Sequence, residues 1–457
     1  MDRKTKIIAT IGPASADRDI IRRFKEERVD CIRINTAHGD IRQYDKMVSM
    51  IKRYSNIPLL IDIKGPDIRI LTEEDIHIVK DEKRWFHCSQ GNERPRFSFD
   101  FSDDVKKGDS IFFDNGQIMS KIMQKKGKSL LLRFYEDAVI GKNKGVNIPD
   151  KRIDIPSLSP KDKDSIRFAI KHKAAYVALS FTRDKKDVQA LKKKLKDTGI
   201  GVISKIENKQ GLENIDDIIE ESDGVMIARG DLGAEIPEES IPLAQKDIIR
   251  RCNEKAKISI VATQMLETMV NKPIPTRAEV SDVANAILDG ADCVMLSGET
   301  ASGHYPVKSV QVMSKVAARV EAQTSNKINM EKQGTVSEEM SKSAYYILDR
   351  TSCKSLAVIT KDGHSASLLA RYRINENIIA ITDDSMTAQR LSLLWGVRVI
   401  MKSIPKKKII KTAAKELLIR GIVNKNESVL FLRATKESVP ETLDVLEVHK
   451  ISDIIKA

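Results

Sequence analysis

At 457 residues the chain is too long for one compact core. Two or three domains are expected, and a peptide ligand or small binding module is excluded. With 41% hydrophobic and 31% charged residues, its composition is that of a folded globular protein rather than a disordered chain. The net charge of +13 does not mark a nucleic-acid binder, because the runs Lys192, Lys193, Lys194 and Lys406, Lys407, Lys408 lie in or beside helix-like segments, as solvated faces do; an anionic small-molecule ligand accounts for the excess as well as a polynucleotide does.

From the first residues onward, short apolar β-branched runs alternate with amphipathic helical stretches, the mark of a parallel α/β architecture. Strands are expected at Lys6–Ile11, Cys31–Ile34, Leu59–Ile63, Tyr176–Leu179, Val202–Ile206, Gly224–Ile227, Ser259–Ala262 and Cys293–Leu296. Helices are expected at Asp17–Glu27, Gln43–Arg53, Lys161–Lys171, Lys185–Lys196, Gly211–Glu220, Pro242–Lys255, Arg277–Leu288 and Val307–Glu321. Eight such units close into a (β/α)8 TIM barrel with reactive groups at the C-terminal strand ends, the alternative being a doubly wound open sheet. The alternation breaks between Ile70 and Lys151, where Gly, Asp and aromatic residues punctuate short strands such as Ser110–Phe113 and Leu130–Phe134. This reads as an inserted small β-barrel domain, residues 70–151, hanging over the active face as a lid. The catalytic barrel then comprises 1–69 and 152–322. After a polar stretch, a second βα series beginning at Ser355–Ile359 makes a C-terminal α/β regulatory domain, 323–457.

Five cysteines, Cys31, Cys88, Cys252, Cys293 and Cys353, are odd in number and widely spaced. They read as buried thiols of a reducing compartment, not as a disulfide framework or a zinc site. The N-terminus has no apolar run of signal-peptide length and no segment is long enough to span a bilayer, so a cytoplasmic protein without membrane contact is expected.

Polar residues gather where the barrel strands end: Arg33 and Asn35, Asp62 and Lys64, Lys205 and Glu207, Asp231, then Thr263 and Gln264. Any one of them is explained by an ion pair capping a loop; the whole set on one rim is not. In ISKIENKQG, Lys205 and Glu207 stand two apart on a strand and so point the same way. In VMIARGDLG, a glycine lets a ligand approach the backbone, and Asp231 stands just before a short helix whose N–H groups face an anionic oxygen. Two carboxylates from adjacent strand ends, completed by substrate oxygens and water, suit Mg²⁺ or Mn²⁺ rather than zinc. With Arg33, Arg69 and Lys205, this is equipment for phosphoryl transfer. An enolase-like barrel or an aldolase-like one, with a Schiff-base lysine, uses similar parts.

The segments KIIATIGPAS, CIRINTAHG, LIDIKGPDIR, KGVNIP, ISKIENKQG, VMIARGDLG, VATQMLETM, PTRAEVSDVANAILDGADCVMLSGETASGHYP and ITKDGHSAS resemble the pyruvate kinase family in order and spacing. The resemblance runs through nearly the whole chain. It implies conversion of phosphoenolpyruvate and ADP to pyruvate and ATP, the last step of glycolysis, by a homotetramer. Carried over by residue, it makes Lys205, Arg33 and Thr263 catalytic. Lys205 neutralises the transferring group and the enolate, Arg33 bridges substrate and nucleotide phosphates, and Thr263 organises a water that protonates the enolate, a threonine hydroxyl being a poor acid. Gly230, Asp231 and Thr263 would hold the substrate carboxylate. Glu207 and Asp231 would hold Mg²⁺ or Mn²⁺, and Asn35, His38, Arg69 and Lys144 would face the nucleotide.

A potassium site at Asn35, Asp62 and the carbonyl of Ile63 is implied too, but Ala37 and Ile63 replace the family's usual Ser and Thr. Asp67 stands where potassium-independent members tend to carry Lys. With a carboxylate at Asp67 left uncompensated beside Asp62, stimulation by K⁺ is expected rather than an absolute requirement. In the C-terminal domain, Thr360, Lys361, Gly363, His364 and Ser365 resemble the family's effector-phosphate loop, although a plain βα turn reads the same locally. The sugar-bisphosphate loop is replaced by ATKESVPETLD, so a phosphate-bearing allosteric effector other than fructose bisphosphate is expected.

Overall fold

The structure is a computed structural model describing residues 3–37, 39–88, 91, 93–114, 116–149, 151, 153–323, 334–405, 407–435 and 442–456. Its centre is a closed, all-parallel barrel of eight strands: β1 (Lys6–Thr10), β2 (Cys31–Asn35), β3 (Leu59–Ile63), β4 (Tyr176–Leu179), β5 (Gly201–Ile206), β6 (Gly224–Ala228), β7 (Ile258–Ala262) and β8 (Cys293–Leu296), with β1 pairing both β2 and β8. The TIM-barrel expectation therefore holds over the open sheet. The strands are buried almost without interruption, because helices cover their outer faces while side chains fill the interior, which is why they read as continuous apolar runs.

The surrounding helices begin where local chemistry starts them. Asp17 accepts hydrogen bonds from two first-turn amides, and Ser159 and Thr276 close capping boxes with Asp162 and Glu279. One expected helix is divided. Gly211–Glu220 is two helices, Lys209–Glu213 and Ile215–Glu221, because Asn214 leaves helical geometry and its amide donates to the Arg183 carbonyl at 2.9 Å.

The insertion after β3 is itself a closed barrel of seven short strands. Its core is a cluster of phenylalanines, with the Phe86 and Phe113 rings 5.5 Å apart. Its first strand is Ile68–Leu71, so Ile68 and Arg69, read from the sequence as barrel residues, belong to the lid. The lid reaches the barrel's C-terminal rim, where the Asn147 amide donates to Glu235 beyond β6 at 2.8 Å. Gly116, at φ +85°, lets its tip approach Ala234 so closely that an added Cβ would lie 3.0 Å from that residue's Cα.

The C-terminal sheet runs in the order Val397–Met401, Asn377–Thr382, Ser355–Ile359, Ser428–Arg433, Val445–Lys450, the last strand antiparallel. It seals the opposite, N-terminal end of the barrel. At the starts of β4 and β1, the Tyr176 hydroxyl donates to the Arg390 carbonyl at 2.9 Å and the Lys6 ammonium to the Val397 carbonyl at 2.8 Å. Ile8, Met226 and Ile260 of the barrel interior share one hydrophobic cluster with Leu356, Leu369 and Leu393 of the C-terminal domain. All five cysteines are free and buried. Among the described residues no helix is long and apolar enough to cross a membrane.

Candidate active site

A cleft of about 840 Å³ opens between the C-terminal rim of the barrel and the lid. Arg33, Asn35, Arg69, Lys144, Lys205, Glu207 and Asp231 all line it. Their convergence follows from strand geometry, since each lies on or just beyond a strand whose C-terminal end faces the lid, or on the lid's own near edge.

Asp62, 1% exposed at the end of β3, is the hub. It accepts from the Arg33 Nε at 2.7 Å, while the Arg33 Nη1 donates to the Thr10 hydroxyl at 3.0 Å. The Lys205 ammonium lies 2.8 Å from Glu207 and 3.3 Å from Asp62. Burial opposes the charges of both Asp62 and Lys205, but each overcomes it through the other and through Arg33 or Glu207. The Asp62 pKa therefore ends below the usual carboxylate range and that of Lys205 above the usual lysine value. Lys205 is a buried, fixed cation lining the cleft.

Glu207, 1% exposed, also accepts from the Phe181 backbone N–H at 2.6 Å. Burial pushes its carboxyl up to about 7; Lys205 opposes that shift and Asp231 adds to it. Two carboxylates repelling each other, Glu207 buried and Asp231 half-buried, form a site that a small hard cation would relieve. Among the described residues no group of three or more His, Cys, Asp or Glu forms a protein cage for a metal. The residues present therefore fit a divalent ion that takes two carboxylates and completes its shell with substrate and water oxygens.

Asp231 lies inside the short helix Arg229–Leu232, not before it as the sequence suggested. The helix's Gly230 N–H is directed at the Thr263 hydroxyl at 2.8 Å, and that hydroxyl donates to the Ala262 carbonyl at 2.6 Å. Thr263 and Gln264 both adopt left-handed backbone conformations, at φ +67° and +53°, a strained turn of the kind found at active sites. Arg229, which the sequence reading passed over, braces this turn by donating to the Thr263 carbonyl at 2.8 Å and to Asp282 at 2.6 Å.

On the lid side, Lys144 pairs with Asp114 at 2.8 Å. Arg69 pairs with Asp67 and donates to the Asn143 carbonyl at 2.8 Å. Asp67 also pairs with Lys64 at 2.8 Å. The carboxylate expected to lie uncompensated is therefore neutralised twice, which corrects the premise of the potassium expectation. The Asn35 side-chain Oδ1 accepts the Ala37 N–H at 3.0 Å, and the Lys161 ammonium donates to the Ala37 carbonyl at 2.7 Å. His38 lies outside the described residues. Ile63 is fully buried on β3.

The Thr360–Ser365 loop lies apart from this cleft, in the C-terminal domain. Its Gly363, at φ +88°, opens the helix His364–Ala370. The Gly363 N–H donates to the Thr360 hydroxyl at 3.0 Å and that of His364 to Asp362 at 2.9 Å. Burial lowers the His364 pKa.

Two family models match the chain: "Pyruvate kinase, barrel domain" over residues 2–310 and "Pyruvate kinase, alpha/beta domain" over residues 338–449. The chain belongs to the pyruvate kinase family. It is 35% identical to a pyruvate kinase of Sporosarcina psychrophila over 99% of this chain and 81% of the relative. It is 34% identical to that of Clostridium acetobutylicum, over 98% of this chain and 100% of the relative. With that of Geobacillus stearothermophilus identity is 34%, over 100% and 81%. As a member of the pyruvate kinase family it is a glycolytic transferase, with phosphoenolpyruvate and ADP as substrates and a divalent metal requirement.

Proposed function

We propose that phosphoryl transfer from phosphoenolpyruvate to ADP, giving pyruvate and ATP, takes place in the cleft under the lid, with Lys205 as the central electrostatic catalyst. The supporting observation is the buried Lys205 ammonium held between Asp62 and Glu207 at the end of β5. Mg²⁺ or Mn²⁺, held by Glu207 and Asp231, would supply charge neutralisation when bound. Arg33, fixed by Asp62 and Thr10, reaches between substrate and nucleotide phosphates, and Arg69, Lys144, Asn35 and His38 serve the nucleotide. The Gly230 N–H, that of Asp231 and Thr263 take the substrate carboxylate, for which Thr263 gives up its contact with Gly230. Transfer breaks the bond between phosphorus and the enol oxygen and leaves the pyruvate enolate. A water organised by Thr263 then delivers the proton to the enolate carbon. A coupled assay of ADP-dependent pyruvate formation with Mg²⁺ or Mn²⁺ tests this; absence of turnover in either metal, with or without effectors, rejects it.

Because Asp67 is already paired and Lys161 sits at the Ala37 carbonyl, the reading for potassium becomes turnover without K⁺. Initial rates in KCl and in tetramethylammonium chloride at equal ionic strength are expected to agree within about twofold. A tenfold loss without K⁺ would restore the potassium site.

The loop at Thr360, Lys361, Gly363, His364 and Ser365 is proposed to take a phosphate-bearing effector other than fructose bisphosphate. AMP or a sugar monophosphate is expected to raise activity at low phosphoenolpyruvate. Activation by fructose bisphosphate that disappears in Ser365→Ala would refute this. A cytoplasmic homotetramer is proposed on family grounds, and a light-scattering mass of one subunit would reject the assembly.

A further inference from the structure

Ser180 directly follows Leu179, the last residue of β4, and precedes Phe181, whose amide holds Glu207. This serine is 4% exposed and lines the cleft. Its hydroxyl accepts a hydrogen bond from the Lys205 ammonium at 2.7 Å and donates to the Asp62 Oδ1 at 3.2 Å. It is thus the neutral member of a network whose other members are charged.

An ammonium has three hydrogens. In this arrangement those of Lys205 are directed at Glu207, Asp62 and Ser180. Two of the acceptors are carboxylates, and one, Glu207, belongs to the divalent-metal pair. An ammonium held only by carboxylates would settle into tight ion pairs, with its charge spent on them rather than on the transferring group. The hydroxyl offers an acceptor that fixes direction without cancelling charge. It is itself held: its proton is committed to Asp62, and Gly65 packs so closely that a Cβ there would lie 2.4 Å from the Ser180 carbonyl oxygen. The next residue, Phe181, takes φ +52°, a conformation costly for a bulky side chain, and its amide thereby reaches Glu207 at 2.6 Å. The end of β4 thus aims both the lysine and the metal-binding glutamate through adjacent residues.

We propose that Ser180 is a positioning residue for phosphoryl transfer, aiming the Lys205 ammonium into the cleft; this rests on the role assigned to Lys205. The hydroxyl is engaged by Lys205 and Asp62, so its effect is expected to appear through the lysine. Ser180→Ala is expected to lower kcat by about 10- to 100-fold, as a misplaced catalytic group does, with the KM for phosphoenolpyruvate changed less than about threefold. The decisive measurement is a double-mutant cycle with Lys205→Met. In that background Ser180→Ala is expected to cost less than about twofold further, because the group it aims is gone. An unchanged kcat in Ser180→Ala overturns the proposal, as does a loss that multiplies undiminished with that of Lys205→Met, or one matched by a lower fraction of folded protein by circular dichroism. Near-normal turnover in Lys205→Met alone would instead remove the role of Lys205 itself.

Discussion

Lys205→Met is expected to lower kcat by about 10³-fold, the scale on which a preorganised charge acts on a developing anion, while nucleotide and divalent-metal affinities change less than about threefold. The expectation follows from where the ammonium sits. Asp62 and Glu207 hold it charged in a buried cleft against the burial that opposes it, so it requires no reorganisation as the phosphoryl group leaves the enol oxygen. Methionine keeps most of the apolar stem of lysine and removes the ammonium, its charge together with the hydrogen bonds it donates. Steady-state kinetics with a metal titration would check it, and Glu207→Gln supplies the contrast. That change keeps shape while removing one carboxylate charge, so the metal concentration for half-maximal rate is expected to rise first. If Lys205→Met kept a rate near that of the parent chain, or lost its rate only through weaker metal binding, the electrostatic role would be wrong.

Arg373→Met is expected to have the largest effect on stability. Arg373 follows the helix His364–Ala370 and enters the barrel's N-terminal end, where its side chain is 1% exposed. It donates to Asp292 at 3.0 Å, Asn253 at 2.5 Å and the Gly290 carbonyl at 2.6 Å, and lies over the Trp395 ring. Asp292, 3% exposed, in turn accepts from the Ser259 and Trp395 backbone N–H groups at 3.0 and 3.2 Å. Removing the cation strands a buried carboxylate, which costs about 3–5 kcal/mol. The barrel and C-terminal domain share a core there, so the cost falls on their junction. Denaturant unfolding followed by the fluorescence of Trp395, in a Trp85→Phe background that removes the chain's other tryptophan, would show an earlier transition. Pairing the change with Asp292→Asn is expected to cost less than the sum of the two single changes. A loss below about 1 kcal/mol would show that the junction rests on apolar packing alone.

The sequence by itself determined the barrel and much of the chemistry. Alternating apolar strands and amphipathic helices, cut by caps such as Ser159 and Thr276, specify the (β/α)8 order through local propensity and periodicity. The two-residue spacing of Lys205 and Glu207 places both on one side of a strand without any tertiary information. Tertiary structure decided the partners. Asp67 reads as an uncompensated negative charge until the turn after β3 and the lid's first strand bring Lys64 and Arg69 to it, which removes that premise of the potassium reading. Ser180 reads as an ordinary residue after an apolar run, although its place at the end of β4 was the signal that would have found it; its role depends on β3 and β5 flanking β4. Arg373 and Asp292, 81 residues apart in sequence, meet only because the C-terminal sheet closes the barrel's open end. Periodicity reports what a residue does along its own element. Charge compensation and positioning depend on which elements meet, and only closure of the barrel, lid and C-terminal sheet settles that.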